Sequence, residues 1–527
     1  MKLEGTSIIG YRKGTTGGET LQAYNPATGK PLEPLYYTAR SQEVEIAVKL
    51  AGEAFRIYGK TPGCEKGKFL RAIAKNLENA LDEIVVRAVR ETGLVAARIQ
   101  SETARTCAQL RMFASLVEDG SWVDARIDRG DPKRTPAPKP DIRSMMQPIG
   151  PVVVFCASNF PLAFSVAGGD TASALAAGNP VVVNAHYSHP GTAEIAGIAI
   201  RDAAKECGIP EGVFSLIYGA GFETGQSIVH HPLIKAVAFT GSRKGGLALA
   251  EIARTRPEPI PVYAEMSSIN PVFILPGAMR ERRDEIAKGL CGSVTLGTGQ
   301  FCTNPGLVFL AEDGDAILFS AHLAELMKKA PSGVMLNSTI YSAYQRVTYE
   351  RLHGVNVKKL AGDAISLDDG GYRVGATLFA TDAQTFLANP DLSDEVFGPS
   401  TLFVTHSGKE ELLALASMLE GQLTATVHAT EQDLHNHAEL IAILETKVGR
   451  IVFNGYPTGV EVCSAMVHGG PFPATSDGKF TSVGTRAIYR FARPVCYQDF
   501  PDFALPPELQ EANPLGIPRM VDGKIRR

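Results

Sequence analysis

The chain has 527 residues, a formal net charge of −4, 44% hydrophobic residues and 20% charged residues. This length exceeds what one hydrophobic core supports, so two or three domains are expected. The small net charge gives no general basis for binding nucleic acid or an anionic membrane. The sequence shows neither the apolar run of a signal peptide nor the run of about 20 apolar residues that a spanning helix needs. We therefore expect a soluble globular protein with no nucleic-acid and no membrane partner.

The eight cysteines are scattered along the chain and form no CxxC pair. This pattern is typical of reduced thiols in the cytoplasm rather than of a disulfide framework or a zinc site. Three close histidine pairs lack a third ligand in a recognisable pattern, namely His186 with His189, His230 with His231, and His435 with His437. The sequence therefore predicts a cytoplasmic location and no metal site.

The N-terminal part of the chain is predicted to be mainly helical. Residues 20–37 read as short strands around a turn, and helical periodicity then covers residues 43–55, 66–91 and 96–117. Residues 121–140 are charged and proline-rich, which indicates an exposed hairpin or a linker.

Apolar strands then alternate with helices, beginning with the β-branched run at 148–161 and a small-residue helix at 165–180 closed by Gly178. Such alternation predicts a parallel sheet covered on both faces, with ligands bound at the carboxyl ends of its strands. A second α/β block follows over residues 271–454. The segment 466–499 is rich in Gly, Pro and Ser, with one strand-like run at 487–491, and is a plausible arm for subunit contacts.

The first candidate for a catalytic segment is QFCTNPG, residues 300–306, which contains a lone cysteine, Cys302. Flanking glycines let the backbone approach a ligand, and Pro305 prevents a helix from continuing. A thiol beside its own backbone N–H can attack a carbonyl and hold the resulting oxyanion. The alternative is a buried structural cysteine, which is the commoner fate of a single Cys.

Two polar residues at strand ends are candidates for supporting roles. Glu265 follows the apolar run Pro-Val-Tyr-Ala and is placed to act as a base. Asn159 ends a buried strand, so its amide can donate to an oxyanion. The alternatives are a surface glutamate and a turn asparagine.

Three glycine-containing loops are candidates for holding a phosphate or a nucleotide. They are GAGFETG at 219–225, FTGSRKGG at 239–246 and DEVFGPS at 394–400. The second loop puts Gly241 and Ser242 at a strand–helix junction, where backbone N–H groups suit a pyrophosphate. Each loop by itself is weak evidence.

Together, these stretches resemble the aldehyde dehydrogenase superfamily. The ordered set Asn-Phe-Pro, Phe-Thr-Gly-Ser, Glu, Cys and Glu-x-Phe-Gly-Pro runs from residue 159 to residue 399, and the chain length fits end to end. The segments QFCTNPG, AHYSHPGTAE and MVHGGPFPATSDGKFTSVGT are similar to the corresponding sequences of the α-ketoglutaric semialdehyde dehydrogenase branch. The resemblance implies an α/β aldehyde dehydrogenase fold with a Rossmann-like cofactor domain, an α/β catalytic domain and a small oligomerisation arm.

The resemblance also implies domain boundaries and an assembly. It puts the dinucleotide-binding domain at 1–120 and 148–264, the catalytic domain at 265–465, oligomerisation or bridging segments at 121–147 and 466–500, and a C-terminal tail at 501–527. It further implies a homodimer or homotetramer.

By resemblance, Cys302 is the nucleophile that forms a thiohemiacetal, Asn159 and the Cys302 N–H hold its oxyanion, and Glu265 activates the water that hydrolyses the later thioester. The cofactor is NADP or NAD. The residues that match positions holding the dinucleotide are Asn184, Gly221, Gly225, Gly241, Ser242, Glu395 and Phe397.

One position departs from the family pattern. The family usually has a lysine that holds the adenosine ribose, where this chain has Asn184. Tyr187 and Phe222 replace residues that NADP-using relatives tend to carry as a small hydroxyl residue and an arginine. Arg243 and Lys244 could meet a 2′-phosphate or could be solvated surface charges. Cofactor preference stays open, and a non-catalytic relative without cofactor is the remote alternative.

The implied reaction is the NAD(P)-dependent oxidation of α-ketoglutaric semialdehyde to 2-oxoglutarate, with a fatty or other aliphatic aldehyde as the alternative substrate. The resemblance assigns Phe160 and Arg105 to the substrate side. An arginine can take the substrate carboxylate in a bidentate hydrogen bond. The alternative is that Arg105 pairs with Glu102 on a helix surface.

Overall fold

The structure, a computed structural model, describes residues 2–219, 221–353, 356–362 and 370–527. The strands are β1 Ile8–Ile9, β2 Arg12–Lys13, β3 Thr20–Asn25, β4 Lys30–Tyr37, β5 Arg126–Asp128, β6 Ile142–Pro148, β7 Val152–Phe155, β8 Val181–Asn184, β9 Phe214–Ile217, β10 Ala236–Thr240, β11 Val262–Glu265, β12 Val272–Ile274, β13 Leu307–Ala311, β14 Gly333–Val334, β15 Lys358–Ala361, β16 Arg373–Val374, β17 Thr377–Asp382, β18 Ser400–His406, β19 Gln422–His428, β20 Val448–Phe453, β21 Ala492–Gln498, β22 Arg519–Val521 and β23 Lys524–Arg526.

The helices are α1 Ser41–Tyr58, α2 Gly63–Asn79, α3 Leu81–Thr92, α4 Ala96–Asp119, α5 Gly169–Ala177, α6 Pro190–Glu206, α7 Glu223–His230, α8 Arg243–Arg254, α9 Pro276–Thr295, α10 Gly314–Lys329, α11 Ser338–His353, α12 Ala383–Ala388, α13 Lys409–Met418, α14 Glu431–Asn436 and α15 Ala438–Lys447. Within the described ranges, none of them combines the length and the apolar composition needed to cross a bilayer.

The first large sheet has the strand order β11-β10-β7-β8-β9-β1-β2. The five strands from β11 to β9 are parallel, and β1 pairs with β9 in the antiparallel sense. Because parallel strands end at the same edge, Asn184 at the end of β8 and Glu265 at the end of β11 lie along one rim of this sheet.

The second large sheet has the order β15-β17-β18-β13-β12-β19-β20, in which all pairs except β15 with β17 are parallel. Separate apolar clusters cover its two faces. Because these strands are buried on both faces, their sequences are continuous apolar runs. The chain enters β13 directly from the loop that contains Cys302, so this sheet fixes one side of the site.

A smaller sheet has the order β21-β6-β5-β22-β23. The edge strand β21 runs antiparallel to β6, from Ala492 opposite Pro148 to Gln498 opposite Ile142. The two strands β22 and β23, at the C-terminal end of the chain, extend this sheet beyond β5. The segments 121–147 and 466–500 therefore meet here, and the residues after 501 add to the same layer.

Most predicted elements are present, but two predictions are wrong. The helix predicted over 66–91 is two helices, because Ala80 ends α2 and also begins α3. The run at 487–491 is not a strand but part of a 3-10 turn, Thr485–Phe491, and the strand β21 starts after it. Ala487 and Ile488, which are adjacent, are both buried, so the run lacks the alternation of a strand. The helix ending at Gly178 is confirmed, with Gly178 in the left-handed region at φ 104°.

Candidate active site

Cys302 lies on a loop whose backbone is unusually constrained. Gly297, Thr298 and Gly299 all have positive φ, between 55° and 65°. A Cβ at Gly299 would lie 2.2 Å from the backbone of Gly398, so only glycine allows this approach. The loop therefore packs directly on the chain segment that carries Glu395 and Phe397.

The side chain of Asn270 also fixes the position of the cysteine loop. The Asn270 side chain donates to the Cys302 carbonyl at 2.8 Å and to the Asn304 carbonyl at 3.0 Å. Asn270 is fully buried and has φ 52°. Sequence reasoning did not identify Asn270, although its AEMSSINP stretch also contains Glu265.

Three reactive side chains meet at this point. The Cys302 sulfur lies 3.4 Å from Nε2 of His468, and the same Nε2 lies 2.8 Å from Oε1 of Glu265. This contact meets the distance of an ion pair, and Oε1 has no aligned hydrogen-bond donor among the described residues. Ser482 donates to the other oxygen, Oε2, at 2.5 Å. Both contacts of His468 use one ring nitrogen, so the imidazole does not relay a proton through its ring.

His468 was missed by sequence reasoning, which considered only histidines in close pairs. It reaches the site because the chain after it pairs with β11. Met266 donates its N–H to the Ala474 carbonyl at 2.8 Å, and Ser476 donates to the Ala264 carbonyl at 2.9 Å. The available signal was the position of His468 directly before two glycines, in the MVHGGPFP stretch that carries part of the family resemblance.

The local electrostatics shift the pKa values of the Cys302 thiol and the Glu265 carboxyl group in opposite directions. Burial, together with the carboxylates of Glu265 and Glu395, raises the pKa of the Cys302 thiol well above its usual value. Burial alone would raise the pKa of Glu265, but His468, Ser482 and Arg490 together hold it below its usual value. The resting site therefore holds a neutral thiol beside an ionised carboxylate.

Asn159 lies beside the cysteine loop, where its amide nitrogen donates to the Gln300 carbonyl at 3.0 Å. The turn that follows Asn159 is held by Glu102, whose Oε1 accepts the N–H groups of Leu162 and Ala163 at 2.9 and 3.0 Å. The other oxygen of Glu102 pairs with Arg98 at 3.2 Å. A buried carboxylate on α4 therefore positions the loop that presents Asn159.

The residues predicted for the substrate side lie on the same helix and among aromatic rings. Phe160 and Phe301 pack edge to face at 5.3 Å, and the Arg98 guanidinium lies over both rings, at 4.3 and 4.8 Å. Phe160 therefore lies next to the cysteine loop, as an apolar wall closed by a cation.

Arg105 does not pair with Glu102, whose carboxylate is engaged by Arg98 and two backbone N–H groups. Its Nη2 makes only a long, 3.5 Å contact with the Val460 carbonyl, and its Nη1 is buried without an acceptor among the described residues. The guanidinium lies 5.3 Å over the Phe164 ring. Burial lowers the pKa of Arg105, and the nearby carboxylate of Glu102 opposes this shift.

Five of the seven cofactor candidates lie along the rim of the first sheet or in the loops that follow its strands, and the other two, Glu395 and Phe397, precede β18 of the second sheet. Asn184 ends β8, and its Oδ1 is buried without a hydrogen-bond partner. A Cβ at Gly219 would lie 2.9 Å from this oxygen. Gly221 has φ 58° and open space beside it, whereas Gly225 is buried against the Phe155 ring. Ala220 of the predicted glycine loop lies outside the described residues.

Gly241 and Ser242 are exposed immediately before α8, and the Ser242 hydroxyl caps this helix by accepting the Gly245 N–H at 3.2 Å. Arg243 is occupied, because it pairs with Glu420 at 2.8 Å. It is therefore not a free cation for a 2′-phosphate.

Glu395 and Phe397 border a small pocket together with Gly299 and Phe301. Burial raises the pKa of Glu395 to about 8, against the opposing hydrogen bond of Ser267. Tyr187 and Phe222 are exposed aromatic residues, at 48% and 71% exposure. They stand at the positions where NADP-using relatives tend to have a small hydroxyl residue and an arginine.

This fold and this cysteine site define a family. The sequence profile of the aldehyde dehydrogenase family matches residues 11–471, and the chain belongs to that family. It is an aldehyde-oxidising oxidoreductase.

Two curated relatives match along nearly the whole chain. Alpha-ketoglutaric semialdehyde dehydrogenase 2 of Azospirillum brasilense is 51% identical, over 99% of this chain and 100% of the relative. Alpha-ketoglutaric semialdehyde dehydrogenase of Acinetobacter baylyi is 43% identical, over 99% and 98% respectively. Among solved structures, lactaldehyde dehydrogenase from Escherichia coli superposes with a TM-score of 0.81 at 20% identity, covering 94% of this chain and 98% of that one. The aldehyde dehydrogenase fold expected from the sequence is confirmed.

The contact of His468 with the thiol generates a prediction about reactivity. Iodoacetamide labels Cys302 ahead of the exposed Cys64, Cys463 and Cys496, despite the raised pKa of the Cys302 thiol, because Nε2 accepts the proton as the sulfur attacks. His468→Gln slows labelling of Cys302 by at least about tenfold, as removal of a general base does. Peptide mass spectrometry over time measures each rate.

The exposed His435 on α14 supplies the control, because His435→Gln leaves every labelling rate unchanged. Equal Cys302 labelling in wild type and His468→Gln would remove His468 from activation of the thiol.

Proposed function

We propose that this enzyme oxidises α-ketoglutaric semialdehyde to 2-oxoglutarate, with NAD or NADP as acceptor. The observation that carries the proposal is the partly buried guanidinium of Arg105, whose Nη1 has no acceptor among the described residues. The two full-length relatives named for this substrate support the same choice.

The argument for a carboxylated substrate is one of desolvation. A buried cation without an anionic partner costs free energy, and Nη1 of Arg105 has no acceptor among the described residues. The substrate carboxylate would supply that acceptor, and each charge-assisted hydrogen bond contributes about 1.5–3 kcal/mol. The aldehyde end of the same molecule would then face Cys302.

In the first chemical step, the Cys302 sulfur adds to the aldehyde carbon and Nε2 of His468 takes the thiol proton. The carbonyl oxygen becomes an oxyanion, which accepts hydrogen bonds from the Asn159 amide and the Cys302 N–H. The imidazolium that forms is stabilised by Glu265, whose Oε1 lies 2.8 Å away.

A nicotinamide dinucleotide, when bound, supplies the acceptor for the aldehyde hydride. The chain fits such a group, because Asn184 Oδ1 is a buried acceptor without a donor and Gly221 faces open space. The residues that would hold it are Asn184, Gly221, Gly225, Gly241, Ser242, Glu395 and Phe397. Arg243 is paired with Glu420, so nothing at that position selects NADP over NAD.

After the hydride has left, Cys302 carries a thioester. Glu265 takes a proton from water while the water oxygen adds to the thioester carbon, and the carbon–sulfur bond then breaks to release the acid. The low pKa of Glu265 keeps the carboxylate ionised for this role.

An aliphatic aldehyde is the second candidate substrate, favoured by the aromatic wall of Phe160, Phe164 and Phe301. These rings would pack against a methylene chain as readily as against a short acid. Arg105 distinguishes the two substrates, because an uncharged chain would leave its guanidinium unpaired.

Assembly and location follow the same line of argument. We propose a homodimer or homotetramer built through the five-stranded sheet β21-β6-β5-β22-β23. Ile525 on β23 is 82% exposed, and Phe503, which follows β21 in the chain, is 87% exposed. All eight cysteines are free thiols, which supports a cytoplasmic location. The division into domains at 120, 148, 265 and 466 stays a prediction.

Glu265→Gln is expected to release a burst of reduced cofactor and then stall, because the thioester accumulates when its water is not activated. Steady-state turnover should fall by at least about a hundredfold. Stopped-flow absorbance measures both phases, and the exposed Glu258→Gln is the control. A normal steady-state rate would exclude Glu265 as the base.

Arg105→Met is expected to raise KM for α-ketoglutaric semialdehyde by at least about tenfold, equivalent to ~1.4 kcal/mol, because the carboxylate loses its partner. Activity on an uncharged aliphatic aldehyde should hold or improve. Arg111→Met on the same helix is the matched control, because Arg111 pairs at the surface with Glu78. Equal losses on both substrates would make Arg105 structural.

Asn184→Lys is expected to tighten dinucleotide binding by about tenfold if a ribose contact is missing, since a hydrogen bond to a charged group contributes about 1.5–3 kcal/mol. Quenching of tryptophan fluorescence, with NAD and NADP in turn, measures affinity, and Asn184→Gln is the control. Unchanged affinity for both would mean that the adenosine is held by other residues, such as Tyr187 and Phe222.

A further inference from the structure

The catalytic cluster has the composition of a metal site. The sulfur of Cys302, Nε2 of His468 and a carboxylate oxygen of Glu265 all lie within 4.8 Å of one another. Within the described ranges, no other group of three such side chains is as close. A thiolate, an imidazole and a carboxylate are all established ligands of zinc.

The spacing also fits a tetrahedral ion. Zinc bonds of about 2.3 Å to sulfur and about 2.0 Å to nitrogen and oxygen place S and N about 3.5 Å apart and N and O about 3.3 Å apart. The structure has 3.4 Å between Sγ and Nε2, and 2.8 Å between Nε2 and Oε1. The Sγ–Nε2 distance thus matches the requirement of the ion, and Nε2 and Oε1 have to separate by about 0.5 Å to admit it.

The carboxylate is the second, independent indication. Glu265 is 4% exposed, and its Oε1 is buried without an aligned donor. The contacts to Cys302 and Glu265 both fall on one nitrogen of His468, so the three donor atoms surround one point. A divalent cation at that point would bind Oε1 directly, in addition to the imidazole that already lies 2.8 Å from it.

We propose that zinc, or another thiophilic divalent cation, binds reversibly to Cys302, His468 and Glu265 and inhibits the enzyme. The bound ion occupies the sulfur lone pair needed for attack, the nitrogen needed to accept the thiol proton, and the carboxylate needed to activate water. Three protein ligands leave the fourth position for solvent. The proposal rests on the cluster and not on the identity of the aldehyde.

Ligand chemistry gives the inhibition its selectivity. Sulfur and imidazole ligands favour zinc and cobalt, whereas magnesium and calcium require mainly oxygen ligands. Magnesium at equal concentration is therefore the control for ionic strength and charge.

The experiment uses the full chain with a phosphine reductant that keeps the thiols reduced. Cobalt(II) is the optical probe, because a cobalt–thiolate bond absorbs in the near ultraviolet, and zinc binding is measured by calorimetry. We expect one cobalt ion and one zinc ion per chain, inhibition by zinc but not by magnesium, and full recovery with EDTA.

The variants assign the ligands. Cys302→Ser removes the cobalt–thiolate band, and Cys302→Ser and His468→Gln each weaken zinc binding by at least about tenfold. The exposed Cys463→Ser and His435→Gln leave binding unchanged. Zinc affinity equal to wild type in Cys302→Ser, or inhibition that EDTA does not reverse, would overturn the proposal.

Binding is measured without substrate, so a wrong substrate assignment would leave these results unchanged. Inhibition is assayed with both an uncharged aliphatic aldehyde and α-ketoglutaric semialdehyde. Loss of inhibition with normal oxidation of either aldehyde would count against the metal site alone.

Discussion

The site depends on the pairing of residues 474–476 with the end of β11. The backbone bonds Met266–Ala474 and Ser476–Ala264 add an irregular strand to this edge of the sheet. They carry His468 and Ser482 to the two oxygens of Glu265. Glu265 ends β11 of the first sheet, and Cys302 precedes β13 of the second sheet. This pairing therefore places His468 between reactive side chains that come from two different sheets. Without it, Glu265 would be a buried carboxylate with no polar partner on this side.

Helix α4 organises the other half of the site through the contrast between its two arginines. Arg98 is paired, because Glu102 accepts from it and also holds the turn behind Asn159. Arg105, about two turns further on, is partly buried, and its buried Nη1 has no acceptor among the described residues. The Phe164 ring faces this guanidinium, and under the proposed function a substrate carboxylate would supply its anionic partner. One helix therefore supports the loop that carries Asn159 and also supplies the cation to which the proposed function assigns the substrate carboxylate.

The cofactor rim combines features that suit a dinucleotide with one that departs from the family pattern. Gly221 faces open space, and Gly241 and Ser242 precede α8. Asn184 stands where a lysine is usual, and Arg243 is bound to Glu420. The adjacent Lys244 is exposed at the start of α8, and the rim also presents exposed aromatic surface at Tyr187 and Phe222. Stacking on these rings does not depend on a 2′-phosphate.

The sequence alone determined the features that local chemistry controls. The apolar runs predicted parallel strands, and Gly178 predicted the end of a helix. The glycines around Cys302 indicated a loop on which a close backbone contact is possible. The tertiary structure decided the features that depend on distant pairing. His468 is 166 residues from Cys302, and Arg105 could not be assigned to Glu102 or to a ligand until Arg98 was seen to occupy that carboxylate. The run at 487–491 has strand-like composition but forms a 3-10 turn, because its buried side chains pack against the core and Arg490 pairs with Asp170. Periodicity reports how a segment is buried, whereas the partner of a buried charge is set only by the packing of elements far apart in the chain.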